Sequence, residues 1–217
     1  MQIIMSRVQH SSRPVLGITG TIGAGKSSVV NILKDLGART IDSDEVVHTL
    51  YLNGTDLHKS VMEAFGNSVA GPCGIDRRIL SEIVFNDPSS MQKLESIVHP
   101  AVTEEVRRLL AIPGDEPAAV LEAIKLVQSK NINLVLEVWI VTADSAAIIS
   151  RLKASRGYKI SEIQRRLAAQ LDATGIAQYL DSNNPTVRYR FIENNLTESD
   201  LRKSVLRYWQ EFLQSAN

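Results

Sequence analysis

Eight consecutive residues, Gly20-Thr21-Ile22-Gly23-Ala24-Gly25-Lys26-Ser27, read G-x-x-x-x-G-K-[ST], and they constrain this chain more than any other feature. Such a loop works only between a strand and a helix. The flanks provide both: Val15 to Thr19 is a short apolar, β-branched run, and Val29, Val30, Leu33 and Leu36 recur at helical spacing across Ser27 to Leu36. Gly20, Gly23, Ala24 and Gly25 let backbone N–H groups approach a polyphosphate, and the helix N-terminus adds partial positive charge there. Lys26 is placed to reach the β- and γ-phosphates. Ser27 offers a hydroxyl where Mg²⁺ bridges those phosphates, and Ser28 offers another donor one residue further on. The implied ligand is a nucleoside triphosphate; a glycine-rich helix start with an exposed lysine is the alternative.

Gly37 stops that helix, and Arg39-Thr40-Ile41 reads as a second strand closing at Asp42-Ser43-Asp44. In an open parallel sheet ligands sit beyond the carboxyl ends of the strands, so Asp42 and Asp44 should share a crevice with the loop. One carboxylate there can orient Mg²⁺ through water. The other, expected to be Asp44, can take the proton of an acceptor hydroxyl that attacks the γ-phosphorus. The plainer reading is that Ser43 or Asp44 only caps the next helix.

Helical spacing then dominates to Ile112, in 46–52, 57–65, 79–85, 91–98 and 102–112, with breaks at Asn53-Gly54, Gly71-Pro72, Asp87-Pro88 and His99-Pro100. This reads as an inserted helical lobe. Ala118 to Ala123 and Leu134 to Val141 are strand-like, the latter apolar enough for both faces of a parallel sheet. Helices are expected at about 144–155 and 161–172, followed by a polar break at 181–185, a strand at 190–193 and a final amphipathic helix at 198–214.

Twenty-four basic residues balance 24 acidic ones and aromatics make up 5%, so neither a basic nucleic-acid surface nor a stacking platform is expected. Cys73 is the single cysteine, which excludes an internal disulfide and suggests a reducing, cytoplasmic setting. No apolar run approaches the ~20 residues that span a bilayer. Residues 1–14 lack a secretory apolar stretch and are expected to form a mobile leader.

The sequence resembles the dephospho-coenzyme A kinase family. The resemblance rests on Gly17-Ile18-Thr19-Gly20 leading into the loop, Leu36-Gly37-Ala38, Ile41-Asp42-Ser43-Asp44, Phe65-Gly66, Asp76-Arg77-Arg78-Ile79-Leu80, Val84-Phe85, Leu94-Glu95-Ser96-Ile97-Val98-His99-Pro100 and Arg166-Leu167-Ala168-Ala169-Gln170. It implies ATP-dependent phosphorylation of the 3′-hydroxyl of dephospho-coenzyme A with Mg²⁺. By the same resemblance, Asp44 matches the family's base with Asp42 beside it, Arg77 and His99 fall in the acceptor lobe, and Arg156 and Arg166 fall in a lid over the phosphates. Read as residues alone, His99 could equally mark a helix boundary, Arg77 and Arg78 a solvated helix face, and Glu122 either a metal-orienting or an ordinary strand-end acid. The chain departs from the family at Ile124-Lys125-Leu126-Val127-Gln128, where a proline and an acid are usual. It departs again in the lid, where the arginine register is shifted at Ser155-Arg156-Gly157.

The expected fold is α/β, the three-layer fold of P-loop NTPases, with a five-stranded parallel sheet, an inserted helical substrate lobe and a helical lid. Residues 15–217 form one domain: core at about 15–50, 118–152 and 186–217, lobe at 51–117 and lid at 153–185. A nucleoside or nucleotide kinase with another acceptor and a non-catalytic nucleotide-binding module are the alternatives. The expected partners are ATP and dephospho-coenzyme A, with no nucleic acid or membrane, and the expected state is a monomer or weak oligomer.

Overall fold

The computed structural model describes residues 13–85, 87–195 and 197–216. Five parallel strands form the main sheet: β1 (Val15–Thr19), β2 (Arg39–Asp42), β5 (Ala119–Glu122), β6 (Glu137–Thr142) and β7 (Arg188–Glu193), in the spatial order β2-β5-β1-β6-β7. Side chains of successive strand residues face opposite sides, so each strand feeds two cores. Leu16, Ile18, Val120, Trp139 and Val141 pack under α1 (Lys26–Asp35) and α9 (Glu198–Ala216). Val15, Leu121, Val138 and Ile140 face the other side, where the helical lobe and α8 (Ala173–Asn183) cover them. The result is the expected three-layer α/β arrangement.

The lobe comprises α2 (Ser43–Leu50), α3 (Asp56–Phe65), a hairpin of β3 (Ala70–Gly71) and β4 (Gly74–Ile75), α4 (Arg77–Phe85) and α5 (Pro88–Ala111). Its helix starts carry side-chain caps: Thr55 accepts from His58 N–H, and Asp87 accepts from Ser89 and Ser90 N–H just ahead of Pro88. The hairpin replaces the plain loop expected at Gly71-Pro72. It is too short for any periodic signal.

The break expected at His99-Pro100 is not made, because α5 runs straight through Pro100. An interior proline forfeits one backbone hydrogen bond and costs about 3 kcal/mol. Val98, Val102 and Val106 on the same helix are buried, and at about 1.5–3 kcal/mol each they outweigh that loss.

Three further boundaries move. The strand expected from Leu134 begins at Glu137, because Lys130–Leu134 is a 3₁₀ turn and pairing with β1 starts only as Leu136 N–H donates to the Val15 carbonyl. The lid expected to reach 185 is interrupted by α8, which buries Ile176, Ala177 and Leu180 in the sheet core. Of the leader expected at 1–14, residues 1–12 lie outside the described residues. Arg13 is held by the Gly114 and Glu116 carbonyls and by the Glu116 carboxylate, and the Pro14 carbonyl accepts from Ala119 N–H, so these two residues belong to the fold.

The lid, expected to start at about 153, begins earlier because one continuous helix carries it: it is α6 (Ser145–Arg156) and α7 (Ile160–Ala168), joined at Gly157. Ile148, Leu152 and Ile163 form its own small core, with Ile22 of the phosphate-binding loop packed against it. Lid and lobe meet where the Arg165 guanidinium lies 5.9 Å from the centre of the Phe85 ring. Among the described residues no helix is long and apolar enough to cross a membrane.

Candidate active site

A cavity of about 600 Å³ opens beyond the carboxyl ends of β1, β2 and β5, walled by the loop after β1, the start of α2 and the lid. This is the position that parallel-sheet topology assigns to a ligand. It is lined by Gly23, Gly25, Lys26, Ser27, Ser28, Asp42, Asp44, Arg77, Glu122, Arg156 and Arg166, so most of the sequence-predicted residues come together. His99 does not join them; it is exposed on α5 and lines no part of this cavity. Gly20 and Ala24 lie behind the wall, where they shape the loop.

Gly20 holds a φ of 140°, and a Cβ there would drive into the Val141 carbonyl oxygen at the end of β6. The loop therefore presses directly on the sheet, and glycine is the residue that allows it. Lys26 opens α1 and is 7% exposed; its Nζ donates to the carbonyls of Gly20 (3.0 Å) and Thr21 (3.3 Å). Burial lowers its pKa, the carboxylates of Glu122, Asp44 and Asp42 pull it back up, and Arg156 opposes them. The ammonium is thus held among three carboxylates and a guanidinium, all four acting on it electrostatically.

Asp42 is the N-cap of α2: its Oδ1 accepts from Asp44 N–H at 2.8 Å and Glu45 N–H at 3.3 Å. The cap is therefore Asp42, not Ser43 or Asp44, and the Asp44 carboxylate makes no cap bond of its own. Asp42 instead fixes where Asp44 leaves the helix. Glu122, level with Asp42 across the β2-β5 pair, has its pKa raised by burial and by Asp42 and Asp44, against a lowering by Lys26.

That shift gives a pH prediction for the ligand-free protein. A carboxyl whose folded pKa exceeds its unfolded value contributes stability that is complete below the unfolded pKa and is lost as pH rises through the folded one. Glu122→Gln removes the titration. The melting temperature of the variant relative to wild type should climb from pH 4.5 to pH 7.5; a constant difference across that range would refute the assignment.

Several residues outside the phosphate-binding motif hold the loop in shape, and of these Gln170 alone stands in a string that carries the family resemblance. Arg151 on α6 donates to the Ala24 carbonyl (3.2 Å) and to the Asn194 carbonyl (2.7 Å), and Asn194, buried just past β7, donates to the Ala24 carbonyl at 2.9 Å. Gln170, after α7, accepts from Ile22 N–H at 2.9 Å. Arg151 and Ser155 line the cavity one helical turn apart on α6, with Arg156 beside them. Arg166 stacks on Tyr158 at 4.6 Å and pairs with Glu162 at 2.8 Å. The altered 124–128 stretch forms a turn whose Leu126 and Val127 are buried, with Leu126 pressed against Gly17. It keeps an apolar plug under β1 without the proline.

A family model described as dephospho-CoA kinase matches residues 14–183, which include the loop, the lobe and the lid. The chain belongs to the dephospho-CoA kinase family. The dephospho-CoA kinase of Geobacter sulfurreducens is 35% identical over 198 residues, covering 90% of this chain and 96% of that protein. Among solved structures, TT1252 from Thermus thermophilus superposes with a TM-score of 0.75 at 26% identity over 92% of this chain and 97% of its own. The dephospho-CoA kinase from Campylobacter jejuni shares the fold, with a TM-score of 0.57 at 23% identity over 93% of this chain and 98% of its own.

Proposed function

We propose that this member of the family transfers the γ-phosphoryl group of ATP to the 3′-hydroxyl of dephospho-coenzyme A, yielding coenzyme A and ADP. The observation that carries this reading is the convergence of Lys26, Ser27, Asp44 and Arg156 on one cavity that the lobe and lid enclose.

In the proposed mechanism the loop amides and Lys26 hold the β- and γ-phosphates, and Asp44 accepts the proton of the 3′-hydroxyl as its oxygen attacks the γ-phosphorus in line. The new O–P bond forms as the bond to the β,γ-bridging oxygen breaks, and ADP leaves. Arg156 and Arg166 swing from the lid to balance charge on the transferring group and to exclude water. Arg77 faces the acceptor from the lobe side. Direct transfer needs no phosphoenzyme.

The donor set fits Mg²⁺. Ser27 Oγ and the carboxylates of Asp42, Asp44 and Glu122 are hard oxygen donors, and among the described residues no group of three or more His, Cys, Asp or Glu forms a metal cage. Mg²⁺ favours such a sparse set, because phosphate oxygens and water complete its shell. When bound it would neutralise β- and γ-phosphate charge. The exposed lone cysteine and the balanced charge support small-molecule partners in a reducing cytoplasm, and the working unit in this reading is a monomer or weak oligomer.

The decisive assay is Mg²⁺-dependent ADP release from ATP with dephospho-coenzyme A, AMP, CMP, pantetheine or adenosine as acceptor. Selective turnover with dephospho-coenzyme A is expected, and Lys26→Ala should cut it by at least about 10²-fold, the usual loss when one charge-stabilising contact to the reacting group is removed. Turnover with CMP or AMP in preference would make it a nucleotide kinase instead. ATP binding without any turnover would make it a binding module.

A further inference from the structure

Helix α7 carries Arg166 to the phosphate cavity, yet little apolar burial holds the helix there. Ile163 is its one buried residue, and the chain enters from α6 through Gly157, where a φ of 65° and open surroundings leave the turn free of packing. Arg166 itself is fixed within the lid, since its guanidinium pairs with Glu162 at 2.8 Å and stacks on Tyr158 at 4.6 Å. Where α7 goes, Arg166 goes. Two side chains tie this helix to the loop and to the lobe: Gln170, just past its end, accepts from Ile22 N–H at 2.9 Å, and Arg165 reaches the Phe85 ring at 5.9 Å.

Phe85 is a fixed post. It ends α4, whose Leu80 and Val84 are buried in the core, and the same helix begins with Arg77 at the cavity, roughly 12 Å away at 1.5 Å per residue. The ring is 72% exposed, so what it offers is its face rather than buried area. The quadrupole of an aromatic face attracts a cation within about 6 Å. Among the described residues Arg165 has no carboxylate partner, and the ring takes that place. We propose that Arg165 and Phe85 form a clasp between lid and lobe, and that both are positioning residues, which hold α7 so that Arg166 stands over the transferring phosphoryl group. This rests on the kinase reading above and extends it. Gln170 alone would let α7 pivot about the loop; a second tie on the other side of Arg166 in the chain removes that freedom.

Both clasp residues are exposed, so their substitution leaves the core intact. The experiment measures turnover of the full chain with saturating ATP, Mg²⁺ and dephospho-coenzyme A. Phe85→Leu keeps apolar bulk and loses the aromatic face; it should lower kcat by about two- to fivefold, the weight of an exposed cation–ring contact, and leave the KM for ATP unmoved. Arg165→Gln should do the same. The double variant should be no slower than either single one, because residues that share a contact do not act additively. Phe85→Trp supplies the ring that binds cations best and should keep full kcat. Its indole is also a reporter, since Trp139 and Trp209 are buried: acrylamide should quench it less strongly when Arg165 is present than in the F85W/R165Q double variant. A Phe85→Leu enzyme at or above wild-type kcat, a Phe85→Trp enzyme as slow as Phe85→Leu, or single losses that multiply in the double variant would overturn the clasp. Equal quenching with and without Arg165 would overturn it too. A wild-type enzyme that binds ATP and never phosphorylates dephospho-coenzyme A would instead overturn the kinase reading, and the quenching would still decide whether the clasp forms.

Discussion

Asp44→Asn is expected to lower kcat by about 10²–10⁴-fold, the range that a positioned general base contributes, while the dissociation constant for ATP stays within about twofold. In energy terms that is roughly 3–5 kcal/mol of transition-state stabilisation. The asymmetry follows from the geometry. Asn keeps the size and shape of the side chain and the α2 cap belongs to Asp42, and in the proposed mechanism the loop and Lys26 hold the phosphates, so loss of the Asp44 charge is expected to fall chiefly on kcat. What disappears is the acceptor for the hydroxyl proton. The same variant discriminates between roles: were Asp44 chiefly a metal-orienting group, ATP affinity in Mg²⁺ would fall together with kcat. Asp42→Asn supplies the contrast. It keeps the cap acceptor, so helix α2 and Asp44 remain in place, and a smaller loss confined to charge balance around Mg²⁺ is expected. Steady-state rates with saturating dephospho-coenzyme A and titration of ATP by calorimetry would measure both quantities. Full turnover by Asp44→Asn would sink the assignment.

The parts of this site written in consecutive residues are legible in the sequence. The β1-loop-α1-β2 unit and the aspartates closing β2 lie within residues 15–44, and local rules govern them: an apolar run, glycines at a loop, helical spacing, a strand end. The residues that brace the loop are not legible in that way. Arg151, Gln170 and Asn194 meet Ile22 and Ala24 across more than a hundred residues of chain, and nothing in the period or composition of their own segments marks them. The same distinction separates the fold elements that local pattern predicts from those that it misses. The proline at 100 is a local stop signal that tertiary burial of Val98, Val102 and Val106 overrides. Helix α8 is hidden by its small and polar residues, Thr174, Gly175 and Ser182 among them, and becomes helical through the Asp172 cap and the burial of Ile176 and Leu180 against the sheet. Resemblance alone puts His99 in the acceptor site. The structure leaves it exposed on α5, away from the cavity that Arg77 reaches.

The other large effect expected is on the loop's contact with the sheet. Gly20→Ala puts a methyl group against the Val141 carbonyl, and β6 is flanked there by β1 on one side and β7 on the other, so no flexible side chain can yield. Conformational strain of about 1–3 kcal/mol adds to an overpacking term of similar size. A net loss of about 3 kcal/mol should lower the melting temperature by roughly 10 °C for a chain of this length. Because Lys26 Nζ is anchored on the Gly20 carbonyl, moving residue 20 also moves the ammonium, and ATP affinity should fall at least about tenfold. Gly66→Ala separates strain from collision. Gly66 also holds a positive φ, 79°, yet a Cβ there meets nothing within 4 Å, so only the conformational cost applies. With a ψ of −179° this backbone lies in a region that is essentially glycine-only, so that variant should lose about 1–3 kcal/mol and melt several degrees low, yet with ATP binding intact. If the two variants melted together and bound ATP alike, the loop could not be resting on β6 as described, and the position of Lys26 would have to be set by Arg151, Gln170 and Asn194 alone.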